Sequence, residues 1–165
     1  IHSKTPIKVP ADIKGKNMAY GDPASTSSHL IPKSLLKDQG LTAKTDYQEH
    51  FVGAHDTVAL TVQTGKADAG GLSKTIFESL VQRGVIKPDK VKVIAESQPF
   101  PEYPWVLRAS LKPELKKHIA EVFFSIKDKD ILKTFKADGF SPITDKDYDV
   151  VRNLAKVLNV DLSKI

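Results

Sequence analysis

The sequence predicts an α/β layer fold followed by a helical tail, on three observations. Strand-like and helical stretches alternate from Asn17 to about residue 95, and only helical stretches dominate afterwards. Between the two parts, ESQPFPEYPWVLRAS places Pro99, Pro101 and Pro104 close together, which excludes helix and favours an extended connector. No internal repeat or low-complexity tract interrupts the pattern, so this connector is the one credible boundary.

Residues 1–16 read as a polar approach with one short helical turn ending at Gly15. The apolar run Met18-Ala19-Tyr20 makes Asn17 to Tyr20 the first strand. GDPASTSSHL then turns into a helix whose apolar face carries Leu30, Ile31, Leu35 and Leu36, and which ends near Gly40. Pro32 lies inside that helix and should kink it or loosen its first turns. Tyr47 to Val52 is the second strand, closed by Gly53. Val58, Ala59 and Val62 give the following helix one apolar face, with Gly65 as its stop. Ala67 to Gly71 is a short strand, and Leu72, Ile76, Leu80 and Val81 turn inward on a third helix that Gly84 ends. Val91 to Ala95 and Trp105 to Leu107 read as two further strands. Helices over PELKKHIAEVFFSI, DILKTFKA and KDYDVVRNLAKVL complete the chain.

Composition removes several function classes. The 165 residues are 40% hydrophobic and 27% charged, as in a soluble globular protein, and no apolar run is long enough to cross a bilayer. No signal-peptide pattern opens the chain, which leaves room for a processed piece of an exported protein. The absence of cysteine excludes disulfides, thiolate metal sites and cysteine nucleophiles. A net charge of +5 is spread over lysines interleaved with acids, which argues against nucleic-acid binding and suits an anionic ligand. His2, His29, His50 and His118 show no metal-ligand spacing, so they read as structural or solvated, and no metal or cofactor is expected.

Chemistry concentrates where strands run into helices. Ser25, Thr26 and Ser27 stand at the start of the helix after the first strand. One capping hydroxyl contributes about 1 kcal/mol of helix stability, and a cap needs only one. Three in a row, beside free backbone N–H groups and the positive end of the helix dipole, can cage an oxyanion. Hydroxyl clusters in turns are also common without any ligand. His55 and Asp56 fall at the second such terminus, and ligands of open α/β sheets gather at the carboxyl ends of strands. An imidazolium at His55 would add a charge-assisted hydrogen bond, although His55 reads equally well as a helix-capping or surface histidine. Asp22 and Asp68 are possible pocket-lining residues, although Asp68 could merely form a turn and Asp22 bond back to its own turn rather than touch an anion it would repel. Ser25 or Ser27 with His55 and Asp68 invites a hydrolase reading, against which stand the missing GxSxG elbow and the crowding of the hydroxyls.

Four stretches carry a family likeness: ADIKGKNMAYGDPASTSSHLIPKSLL, VGAHDTVALTVQTGKADAGGLSK, KVIAESQPFPEYPWVLRASLKPELKK and FKADGFSPITDKDYDVVRNLAKVL. Together they resemble the phosphate/phosphite/phosphonate substrate-binding proteins of ABC transporters, over nearly the whole chain. The resemblance implies a three-layer lobe of the type 2 periplasmic-binding-protein arrangement, a mixed central sheet flanked by helices, followed by a helical C-terminal tail. Residues 1–96 would be the second lobe with the anion site, 97–104 the inter-lobe connector, and 105–165 the C-terminal part of the first lobe, whose N-terminal part the chain lacks. It implies further that Ser25, Thr26, Ser27 and His55 form one wall of the site, and that Tyr103 or Trp105 lines the cleft; without it, both aromatics read as packing residues.

From the resemblance follow a phosphorus oxyanion as ligand, an ABC permease as partner, a periplasmic or extracytoplasmic location with or without a lipid anchor, and no enzymatic activity. Truncation adds the expectation of weak binding and self-association. Relatives that hold an aminoalkyl phosphonate need carboxylates for its ammonium group. Ser73, Lys74 and Thr75 supply none and only Glu102 could serve, so a small ligand such as phosphite, phosphate or methylphosphonate is favoured. The rivals are a ligand-sensing domain of a receptor or kinase on the same fold, and a small hydrolase or transferase using His55.

Overall fold

Three short parallel strands, β1 (Asn17–Tyr20), β2 (Gln48–Phe51) and β3 (Ala69–Gly70), form a sheet in the order β2-β1-β3. The computed structural model describes residues 1–135 and 137–161. Asn17 to Tyr20 pair with Gln48 to Phe51, and Met18 and Ala19 with Ala69 and Gly70. The ladder runs past the strand ends through Val52 N–H to Tyr20 O (2.9 Å) and Gly71 N–H to Ala19 O (3.0 Å).

The alternation of β1 creates two cores, because successive side chains point to opposite faces. Met18 and Tyr20 face Ile13, Leu36, Leu41 and Tyr47, whereas Ala19 faces Val58, Ala59, Val62, Leu80 and Ile86. Helix α1 (Ile31–Asp38) thus covers one face, and α2 (His55–Gln63) with α3 (Lys74–Gln82) covers the other, giving three layers. On the first face the Tyr20 and Tyr47 hydroxyls pair at 3.0 Å in full burial. Burial and the nearby Glu49 raise both phenol pKa values; the neighbouring phenol adds to the rise at Tyr20 and opposes it at Tyr47, and both stay protonated.

Several expectations need correction. Val91 to Ala95 is not a strand: Val91 makes a single antiparallel bridge to His2, and Val93 is 58% exposed. That bridge lies outside the sheet, whose three strands are all parallel. Trp105 to Leu107 forms no strand, because β propensity yields one only beside a hydrogen-bonding neighbour. Of the two effects expected of Pro32, the loosened entry is found: Pro32 stands in the first turn of α1, and the turn before it, Thr26–Leu30, widens to π geometry.

The chain divides into two compact units, Ile1–Pro99 with the segment from Val150 on, and Phe100–Asp149. The second holds α4 (Pro113–Ser125) and α5 (Lys129–Thr134), the latter capped by Asp128 Oδ1, which accepts from Asp130 N–H (2.9 Å) and Ile131 N–H (3.0 Å). Trp105, Phe123, Phe135 and Phe140 form a ring cluster there, with neighbouring centroids 5.2 to 5.6 Å apart. A helix over Asp149–Val157, α6, begins at the boundary. No helix among the described residues is long and apolar enough to cross a membrane.

Candidate functional site

The turn after β1 is built by backbone and short side chains. Asp22 accepts from Ala24 N–H through Oδ1 (2.8 Å) and from Ser25 N–H through its carbonyl (2.9 Å), which folds Asp22 back onto its own turn, as its residue type suggested. Ser25 does the capping: its Oγ accepts from Ser28 N–H at 3.1 Å. Its carbonyl takes both His29 N–H (3.2 Å) and Leu30 N–H (3.1 Å), the wide-turn pattern. Widening suits Pro32, whose ring would crowd the carbonyl of residue 28 in a regular helix; that carbonyl instead accepts from Gly21 N–H at 3.3 Å. With the cap satisfied by Ser25, the N–H groups and hydroxyls of Thr26 and Ser27 have no partner among the described residues, and both are half-buried. Two backbone donors and two hydroxyls at a positive helix end form a receptacle for negative charge.

The turn after β2 lies beside it. Gly53 N–H donates to Gly21 O at 3.2 Å, tying the two turns at the same end of the sheet. Gly53 takes φ +89°, a conformation that side chains resist, and this lets the chain enter α2 at once. The N–H groups of His55 and Asp56 donate to nothing among the described residues. His55 Nδ1 accepts from Ser73 N–H at 3.1 Å, which brings the loop after β3 into the same cluster and fixes the tautomer. The ring's proton is therefore on Nε2. Burial lowers the His55 pKa, with Asp56 opposing it, so the expected imidazolium is corrected to a neutral donor.

Other sequence candidates scatter. Asp68 precedes β3 at the opposite end of the sheet, where its Oδ2 accepts from Asn17 N–H at 2.9 Å; the expected pocket role is corrected to a brace for the start of β1. Trp105 belongs to the ring cluster of the second unit, and Tyr103 in that unit is 92% exposed. Ser73 and Thr75 hydroxyls bond each other at 2.9 Å, and Lys74 pairs with Glu96 at 2.6 Å. A cavity of about 340 Å³ opens between α2 and α3, lined by Ala54, His55, Asp56 and Arg83 above apolar residues such as Ile76 and Leu80. Ser25, Thr26 and Ser27 do not line it.

Sequence reasoning set aside two residues that shape the turn. Ser28 is 1% exposed and its Oγ is unpartnered among the described residues, filling the space that a Cβ at Gly21 would take. Removing an unsatisfied buried hydroxyl relieves its desolvation, so Ser28→Ala is expected to be neutral or to stabilise the chain by up to about 1 kcal/mol in urea unfolding. His29, 5% exposed, was grouped with structural histidines; the available signal was Lys33 four residues on, on the same helix face.

Both His29 and His55 have pKa values lowered from 6.5 by burial. Below pH 6.5 the unfolded chain therefore binds more protons than the folded one. The contribution of these two histidines to stability is expected to be full above that pH, to fall as pH drops towards the lowered native values, and to level off beneath them. Urea midpoints between about pH 7.5 and about pH 5 check this, and a His55→Gln, His29→Gln pair should flatten the slope.

The profile of a family described as ABC transporter, phosphonate, periplasmic substrate-binding protein matches residues 1–148. The "Phosphate-import protein PhnD" of Mycolicibacterium smegmatis is 27% identical over 93% of this chain and 54% of its own length. The "Probable ABC transporter phosphite binding protein PhnD1" of Prochlorococcus marinus is 26% identical over 96% of this chain and 57% of its own length. The chain thus spans about half the length of these relatives. The solved structure of Prochlorococcus PhnD1 in complex with methylphosphonate superposes with a TM-score of 0.79 at 24% identity, covering 96% of this chain and 62% of that one. A binding protein component of an ABC phosphonate transporter from Pseudomonas aeruginosa gives a TM-score of 0.75 at 23% identity, over 96% and 55% of the two chains. These likenesses establish the shared fold.

Proposed function

Since the chain belongs to the phosphonate periplasmic substrate-binding family of ABC transporters, we propose that it captures a small phosphorus oxyanion at the turns after β1 and β2 for delivery to a membrane permease. The observation that carries this reading is the pairing of two helix entrances through Gly21 and Gly53, each with two backbone N–H groups donating to nothing among the described residues. Thr26 and Ser27 supply hydroxyl and backbone donors. His55 supplies Nε2–H from the neighbouring turn, and Ser25 holds the cap that leaves the other two free. Every one of these groups donates, which matches a ligand whose oxygens carry the charge.

Residues 1–96 form the lobe with the anion site in this proposal, 97–104 the connector, and 105–165 part of the other lobe. Function in the extracytoplasmic space follows from the family's role. Phosphite, phosphate and methylphosphonate are the favoured ligands, because Lys74 stands at the start of α3 where an ammonium group would need a carboxylate, and its own partner is Glu96. Calorimetric titration of phosphate, phosphite, methylphosphonate, aminoethylphosphonate and sulfate into the chain tests the reading. Saturable binding of one of the three favoured anions with weaker sulfate binding is expected; equal binding of all five, or a preference for aminoethylphosphonate, would overturn the ligand class.

A further inference from the structure

Behind the oxyanion turn lies a buried polar group that the ligand reading does not use. His29 sits in the wide turn Thr26–Leu30 with its ring against Tyr20 of β1 (centroids 5.1 Å) and edge-on to Phe51 of β2 (4.8 Å). Its Nδ1 is 2.7 Å from Pro23 O. A carbonyl can only accept, so Nδ1 carries the proton and donates. Nε2 is then an acceptor, and Lys33 Nζ from α1 approaches it at 3.5 Å. The same ammonium lies 2.6 Å from Glu49 Oε1 of β2, whose side chain is 5% exposed and which stands 4.0 Å from His29 Nε2. The lysine thus presents a donor to the ring and holds its charge against the carboxylate.

We infer that His29 is the positioning residue of the oxyanion turn, its Nδ1–H clamping the Pro23 carbonyl so that Thr26 and Ser27 point their donors outward. The consequence for ligands rests on the function proposed above; the clamp itself does not. The two ends of the turn Gly21–Ser25 are tied by Gly21 N–H to Ser28 O and by the Ser25 oxygens, which accept from Ser28, His29 and Leu30 N–H, while Asp22 bonds within the turn. Pro23, at the tip, has no N–H to give, and among the described residues its carbonyl is tied by His29. His29 connects the tip of that turn to both neighbouring strands through its ring contacts. The Pro23 carbonyl and Lys33 set the tautomer, with Glu49 holding the lysine in place: were Nε2 the protonated nitrogen, it would face an ammonium and the Pro23 carbonyl would face a lone pair.

The test combines nitrogen NMR of the ligand-free chain with amide hydrogen exchange and methylphosphonate titration of His29→Leu and His29→Asn. Asn can place an N–H near the position of Nδ1–H, whereas Leu fills space without donating. The wild-type spectrum should show the Nδ1–H tautomer; an Nε2–H tautomer overturns the inference without any variant. Exchange at Ala24, Ser25 and Ser28 should rise about tenfold in His29→Leu and return towards wild type in His29→Asn, with the Val52 amide of the ladder unchanged. Methylphosphonate affinity should fall about tenfold in His29→Leu and recover to within about threefold in His29→Asn. Wild-type exchange at those amides in His29→Leu, or equal behaviour of the two variants, defeats the clamp even if the wild-type chain binds methylphosphonate. Should the wild-type chain bind no phosphorus oxyanion while the amides respond as expected, the ligand reading fails and the clamp stands.

Discussion

Thr26→Val is expected to weaken binding of the preferred phosphorus oxyanion about ten- to a hundredfold while leaving the urea midpoint unchanged. The substitution keeps shape and β-branching and removes only the hydroxyl. That hydroxyl has no partner among the described residues, so the fold loses nothing with it. A hydrogen bond to a charged group contributes about 1.5 to 3 kcal/mol, which converts to that range of affinity. Ser25→Ala should differ by lowering stability as well. Its Oγ accepts from Ser28 N–H, so its loss should cost about 1 kcal/mol of stability, and binding should weaken through the disturbed turn. Titration and unfolding of the two variants side by side separate a ligand contact from a cap. Equal affinity of Thr26→Val and wild type removes Thr26 from the site.

Gly70→Ala is expected to destabilise the first unit by about 1 to 3 kcal/mol and to weaken binding along with it. A Cβ at Gly70 would meet Val58 Cγ1 at 2.6 Å and Val62 Cγ2 at 2.9 Å. Both valines are buried on α2, where a branched side chain has essentially one rotamer, so neither can turn aside. The helix must move instead, and His55 is its first residue. Unfolding should be followed by far-UV circular dichroism, because the single tryptophan, Trp105, belongs to the second unit and reports on that unit. Val58→Ala in the Gly70→Ala background should restore part of the loss, as contacting residues do in a double-mutant cycle. Full additivity of the two changes would show that the close approach is not what Gly70 provides.

The layered α/β order was legible because its signals are local and agree with one another. Met18-Ala19-Tyr20 is an apolar run before a turn, Val58, Ala59 and Val62 share one helical face, and Gly65 and Gly84 stop helices with φ of +73° and +72°. The strands at Val91 and Trp105 were misread because strand formation is settled by a partner edge that local propensity does not reveal. Val106, 81% exposed, has the residue type of a strand and no ladder among the described residues.

For the site, the three hydroxyls announced a helix entrance, but their division of labour needed coordinates. Ser25 caps, and Thr26 and Ser27 are thereby left free. The protonation of His55 was misjudged because Ser73, which donates to Nδ1, is eighteen residues away in sequence. Asp68 was placed at the wrong end of the sheet because β3 is two residues long and starts just after it.

Backbone amide shifts of the chain during titration with methylphosphonate, with sulfate as control, test the central claim most directly. The account predicts saturable, methylphosphonate-selective movement of the Thr26, Ser27, His55 and Asp56 amides, with the Asn17 amide at the far end of the sheet unmoved. Saturable shifts centred elsewhere, or none at millimolar ligand in a folded chain, would contradict it.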